Sequence, residues 1–161
     1  LTDSKYGFST AFQKIGISLI KSATDPYPEA DQGHHEFTYA LYVHEGDWKK
    51  GHTMEQALDL NVPAISLPAT KIASDAFFNV PQENILLDTI KKAEDEEAVI
   101  IRLYEYYNRR TQVVIESQQS IQRAVLCNLL EENEEELHVE ANQIHVAFAP
   151  YEVQTIKIFF E

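Results

Sequence analysis

The sequence holds a single cysteine, Cys127, among 161 residues. That shortage excludes an internal disulfide framework and any zinc knuckle built from several cysteines. Basic side chains are scarce as well. Thirteen Lys and Arg stand against 26 Asp and Glu, a formal net charge of -13. This balance disfavours nucleic acid and anionic membrane surfaces as partners, because both need positive charge over a broad face. No apolar run approaches the roughly 18 residues that a bilayer span needs, and no signal-peptide pattern opens the chain. A nucleophile elbow, a P-loop, a dinucleotide fingerprint and an HExxH motif are all missing. The paired carboxylates of a glycosidase cannot be singled out among 26 acids, because their separation of about 5–9 Å is spatial rather than sequential.

What is present describes a folded chain. It is 44% hydrophobic and 24% charged, which is ordinary for a globular protein, and its length suits one larger domain or two small ones. It opens at Leu1 rather than at a methionine and is read as a piece of something longer.

In the first half, Ile15, Ile17 and Leu19 recur with a period of two and predict a strand. A loop punctuated by Asp25-Pro26 and Pro28 runs from Ser22 to Gly33. Glu36 to Val43 is apolar on both alternating faces and predicts a central strand covered on both sides, with Tyr39 in the core. One short helix is expected, with Thr53 as cap, Gln56 completing a capping box, and Met54, Ala57 and Leu58 on one face before Asn61 and Pro63 end it. Ala64 to Leu67 is expected as a strand between two prolines.

A composition shift falls at 79–84. Residues 1–80 carry a net charge of -4 and residues 81–161 a net of -9. The second half holds apolar, β-branched runs at Val99–Leu103, Gln112–Glu116, Ile121–Cys127, Leu137–Val139, Ile144–Phe148 and Val153–Phe160, separated by turn segments. Short strands at that spacing predict an antiparallel sandwich. The acidic run Glu131–Glu136 reads as a solvated turn, and Cys127, inside an apolar run, as an inert buried thiol.

The densest polar cluster is Asp31-Gln32-Gly33-His34-His35-Glu36, followed by His44. Adjacent strand residues point to opposite faces, so His34 and His35 cannot easily share an ion, and a metal site made wholly from this chain is disfavoured. Asp31 and Gln32 have a second possible use. Such side chains pair with adjacent sugar hydroxyls, while an aromatic face such as that of Tyr27 covers the apolar side of the ring.

A series of segments carries a resemblance. Among them are Asp3-Ser4-Lys5-Tyr6-Gly7, Ile17-Ser18-Leu19-Ile20-Lys21-Ser22, Pro28-Glu29-Ala30-Asp31-Gln32-Gly33, His35-Glu36-Phe37-Thr38-Tyr39-Ala40-Leu41-Tyr42, Gly46-Asp47-Trp48 and Leu60-Asn61-Val62-Pro63. Later come Ile90-Lys91-Lys92-Ala93-Glu94-Asp95, Arg102-Leu103-Tyr104-Glu105, Asn128-Leu129-Leu130-Glu131 and Pro150-Tyr151-Glu152-Val153-Gln154-Thr155. In order and spacing, from about residue 3 to 158, the chain resembles the C-terminal region of the family 38 α-mannosidases of the bacterial and vacuolar/cytosolic type.

The resemblance implies a mostly β fold. Residues 1–80 would be the terminal part of a large antiparallel, mutarotase-like supersandwich with one short helix, and residues 85–161 a small C-terminal β-sandwich. It implies a parent enzyme, cytoplasmic, that hydrolyses terminal α-linked mannose with retention. In that chemistry one Asp attacks the anomeric carbon and a second carboxyl serves as acid and then base. A divalent ion, usually zinc, would be held by the parent's His and Asp residues and contact the sugar. The partners implied are the N-terminal catalytic barrel of the same enzyme and a mannose-containing glycan. No catalytic, metal or cofactor residue is carried over to this chain. The Pro28–Gly33 loop would approach the barrel, making Tyr27, Asp31, Gln32, His34 and His35 candidates for the substrate rim or for support behind it, unless the loop only cements an interface. The alternative is a stand-alone carbohydrate-binding or interaction module.

Overall fold

The computed structural model describes residues 1–2, 7–68, 76–132 and 135–161. The chain divides into two compact units, Leu1–Pro68 and Ala69–Glu161.

In the first unit, β1 (Phe8–Ala11) and β2 (Lys14–Ile17) form an antiparallel hairpin, with Phe8 opposite Ile17 and Ala11 opposite Lys14. The expected strand is therefore real but ends at Ile17, before Leu19. The expected helix forms as α1 (Thr53–Asn61), but its cap differs. His52, in the left-handed region, precedes the first turn, and no side chain caps it. Thr53 is instead the first helical residue, and its hydroxyl pairs with His44 Nε2 at 3.2 Å. Trp48 C=O accepts the Thr53 N–H, and Val62 N–H closes the far end on Leu58 C=O.

Two expected strands do not form. Glu36–Val43 makes one antiparallel bridge, between Tyr39 and Thr2, and is otherwise irregular among the described residues. Leu41 is 90% exposed, and Tyr39, expected in the core, is mostly exposed too. Ala64–Leu67 is irregular, with Ile65 87% exposed. Apolar alternation specifies a strand only where neighbouring strands take up its N–H and C=O groups and a facing layer takes up its side chains.

The second unit supplies those neighbours. Its strands are β3 (Phe78–Asn79), β4 (Ile85–Lys92), β5 (Val99–Glu105), β6 (Thr111–Ser117), β7 (Ile121–Cys127), β8 (Glu135–Glu136), β9 (His138–Glu140), β10 (Gln143–Phe148) and β11 (Val153–Phe160). They pair antiparallel in two sheets, ordered β3-β6-β10-β9 and β4-β5-β11-β7-β8. The sandwich expected from the sequence is thus formed, and five of its six expected strands stand where the apolar runs lie. The sixth, Leu137–Val139, is shifted by one residue. β3, β4 and β8 are strands that the pattern does not announce. The pairing of Glu135–Glu136 with Leu126 and Val125 puts the end of the supposed acidic turn on a sheet edge, while residues 133–134 lie outside the described residues. The pairing of Phe78–Asn79 with Ser117 and Glu116 draws residues ahead of the composition shift into the second unit.

Period-two burial builds the core. Ile101 and Leu103, Val113 and Ile115, Ile144, Val146 and Phe148, and Ile156 and Ile158 all face the space between the sheets. Ile121 and Ala124 both join them although they are three residues apart. A bulge in the β7–β11 pairing, which leaves Gln122 without an opposite residue, accounts for this. A second bulge leaves Asp88 unpaired on the edge strand β4 and twists that edge. Cys127 is buried, and its thiol donates to Thr155 C=O at 3.5 Å.

Ile156, fully buried on the central strand β11, sets the scale of this core. Ile156→Ala should destabilise the second unit by about 2–5 kcal/mol and Ile156→Val by about 0.5–1.5 kcal/mol. Urea unfolding followed by far-ultraviolet dichroism checks both. A cost below about 0.5 kcal/mol for the alanine variant would mean that the sheets do not close on this residue.

Candidate functional site

The loop carrying Tyr27, Asp31, Gln32, His34 and His35 is organised by its own short-range bonds. Tyr27 C=O accepts the Ala30 N–H and Glu29 C=O accepts the Gln32 N–H, each at 3.2 Å. Asp31 sits at φ 61, a region that Asp tolerates better than most residues. Its carboxylate accepts the Ser22 N–H at 2.8 Å, tying the start of the loop to its tip. Its carbonyl accepts a hydrogen bond from His35 Nε2 at 2.8 Å. His34 lies 3.5 Å from the Glu36 carboxylate, with both side chains exposed. The Tyr27 hydroxyl donates to Glu29 at 3.4 Å, and its ring is exposed.

Asp31 and His35 are therefore brought together by a backbone contact, while His34 pairs with Glu36. No group of three or more His, Cys, Asp or Glu side chains converges among the described residues. The described residues do not supply the His and Asp set that a catalytic zinc ion needs.

A second polar cluster lies at one end of the sandwich, and the sequence reading did not identify it. Its centre is Glu105, the last residue of β5, which is 1% exposed. One carboxylate oxygen accepts the Asn84 side-chain amide and the Tyr107 N–H, both at 2.8 Å. The other accepts the Asn108 and Tyr151 N–H groups, both at 2.9 Å. Asn84 is equally buried and also donates to Thr111 Oγ1 at 2.7 Å, while its own oxygen accepts from Arg109 at 3.3 Å. Arg109 then pairs with Glu83 and lies over the Tyr107 ring. Burial alone pushes the Glu105 carboxyl up. The bonds from Asn84 and from the Tyr151, Tyr107 and Arg109 backbones outweigh burial and hold the carboxyl below its ordinary value. A buried carboxylate with this many donors fixes three loops at once. It has no free lone pair with which to act on a substrate.

Residues 84–156 match the sequence model of the glycosyl hydrolases family 38 C-terminal beta sandwich domain. The second unit is a family 38 C-terminal sandwich. Its matched stretch starts at Asn84 and runs past Tyr151, so it contains Glu105 and all four of its described hydrogen-bond donors. The whole chain is 31% identical to a protein named alpha-mannosidase 2C1 from Mus musculus and 31% identical to one of the same name from Homo sapiens, in both cases over 100% of this chain and 16% of the relative. It is 32% identical to alpha-mannosidase G of Dictyostelium discoideum, over 98% of this chain and 15% of that protein. The chain thus spans about one sixth of the length of these curated relatives.

Two outcomes follow from the geometry. Glu105→Gln should cost about 2–4 kcal/mol, since an amide turns an NH2 group toward buried donors. The wild-type contribution from Glu105 is complete above the unfolded-chain pKa of about 4.3 and is lost as pH falls through the lower folded value. The Gln variant should therefore show a flatter acid limb in urea midpoints taken across pH 2–6, and an unchanged limb would remove this role. In the loop, Asp31→Ala should speed hydrogen exchange of the Ser22 amide, while Asp31→Asn, which keeps an acceptor and tolerates the same backbone, should preserve most of its protection. Equal exchange in both variants would show that the side chain does not tie the loop.

Proposed function

We propose that the chain is a structural, non-catalytic β part of an α-mannosidase. The parent would hydrolyse terminal α-linked mannose with retention, in the cytoplasm, using a divalent ion, zinc by preference, held outside this chain. The observation that carries this reading is the family match over residues 84–156 together with alignment of the whole chain to about one sixth of several α-mannosidases.

The first unit supports a docking role. Phe12, Leu41, Val43, Ile65 and Leu67 are all largely exposed, more large apolar surface than a solvated unit of this size normally carries. The catalytic barrel of the same enzyme is the partner proposed for that surface. The Pro28–Gly33 loop would then stand at the substrate rim or support it. The bonds that Asp31 and Gln32 make within the loop favour support, because the Asp31 carboxylate already serves the Ser22 N–H. A stand-alone mannose-binding module would instead need those groups turned outward beside Tyr27.

The isolated chain, assayed with an aryl α-mannoside and zinc, should show no turnover. Turnover within an order of magnitude of a full-length enzyme would overturn the reading. Calorimetry against mannose separates the alternative: millimolar or tighter binding, abolished by Asp31→Ala, would favour the carbohydrate-binding module.

A further inference from the structure

The register of β9 and β10 sets His138 directly opposite His145. Their neighbours Val139, Ile144 and Val146 pack on the core, so alternation sends both histidines to the outer face of the four-stranded sheet. The two ring centres are 5.5 Å apart and inclined at 43°. Two imidazoles that share one ion through nitrogens at about 2.1 Å have their ring centres roughly 5–6 Å apart. His145 Nε2 is buried and has no hydrogen-bond partner among the described residues. A buried ring nitrogen left in that state is uncommon and disfavoured.

From this we propose that His138 and His145 form a two-histidine site for a borderline divalent transition metal ion, with water completing its coordination. The surrounding charge is of the right sign. Glu140 follows on the same face of β9, and Glu116 stands on β6 beyond Gln143, whose amide donates to it at 2.9 Å. The outward positions of β6, β9 and β10 include no Lys or Arg. Imidazole selects Zn2+, Cu2+ or Ni2+ over the oxygen-seeking Ca2+ and Mg2+. His138 is exposed, so the ion has an entry path. Chelation would also pin β9, a three-residue edge strand, to β10. The site is a property of this sandwich alone and does not rest on the function proposed above.

The test is a ZnCl2 titration of the full chain, followed by calorimetry and by nitrogen-detected histidine resonances. His138 and His145 should shift together, at a stoichiometry of one ion for the pair, ahead of His34, His35, His44 and His52. His138→Ala, at an exposed edge position where folding is not at stake, should weaken that event by about tenfold or more. It should also abolish the rise in Tm that Zn2+ gives the wild type. His145→Gln provides a second removal. Resonances of His138 and His145 that stay in place while other histidines titrate, or affinity unchanged in His138→Ala, would overturn the site.

Discussion

The carboxylate of Glu105 has no water to turn to, and four N–H donors close on its two oxygens. Each donor belongs to a segment that would otherwise be free to rearrange: the entry to β4, the turn after β5, and the turn between β10 and β11. Two of these donors, Asn108 and Tyr151, sit at φ 62 and φ 57. For a ring as large as that of Tyr151 this backbone is costly, and it persists only where the surroundings over-determine it. The hydrogen bonds to Glu105 Oε2 do that at both positions. One buried charge thus holds three connections of the sandwich in a single arrangement, and Arg109 extends the network by donating to Asn84 and Glu83.

The sandwich strands were legible because their signal is physical and local. Apolar, β-branched runs of strand length, separated by turn segments, recur at 99–103, 112–116, 121–127, 144–148 and 153–160, and each lies on a strand of the sandwich. β4 escaped because its bulge at Asp88 breaks the alternation halfway along. β3 and β8 are too short to carry a pattern at all. The opposite error occurred at Glu36–Val43. Its apolar residues alternate well, but a strand is made by its neighbours, and among the described residues only Thr2 bridges it. The helix was legible from its apolar spacing, whereas its cap was not. A capping box is a sequence pattern that Thr53 satisfies, yet its hydroxyl has a better-placed partner in His44 across the loop.

The polar sites were less legible for a related reason. Asp31 and His35 share a segment dense in polar residues, so they attract notice, but their bonds run to the backbone and no spacing rule reveals that. Glu105 was hidden among 26 acids. One signal was available: it ends an apolar run and is followed at once by Tyr106-Tyr107-Asn108, so the chain turns while the charge is still within the core layer. The histidine pair needed a register. His138 and His145 are seven residues apart, which means nothing until the β9–β10 hairpin sets them face to face.

The two units differ in how they satisfy themselves. In the second, large apolar side chains from both sheets close on one another, and the buried carboxylate of Glu105 is saturated with donors. In the first, the hairpin, the helix and the extended segment leave side chains as large as Phe12 and Leu41 almost fully in water, and α1 has no buried residue. Hydrophobic burial is the main favourable term in folding, so the second unit has what it needs within its own residues. The first unit's polar bonds fix the local shape of its loops, but they offset little of the conformational entropy lost in ordering them. On the function proposed above, that shortfall is met by burying the same apolar side chains against the catalytic barrel. The first unit would then owe its stability to the contact it makes.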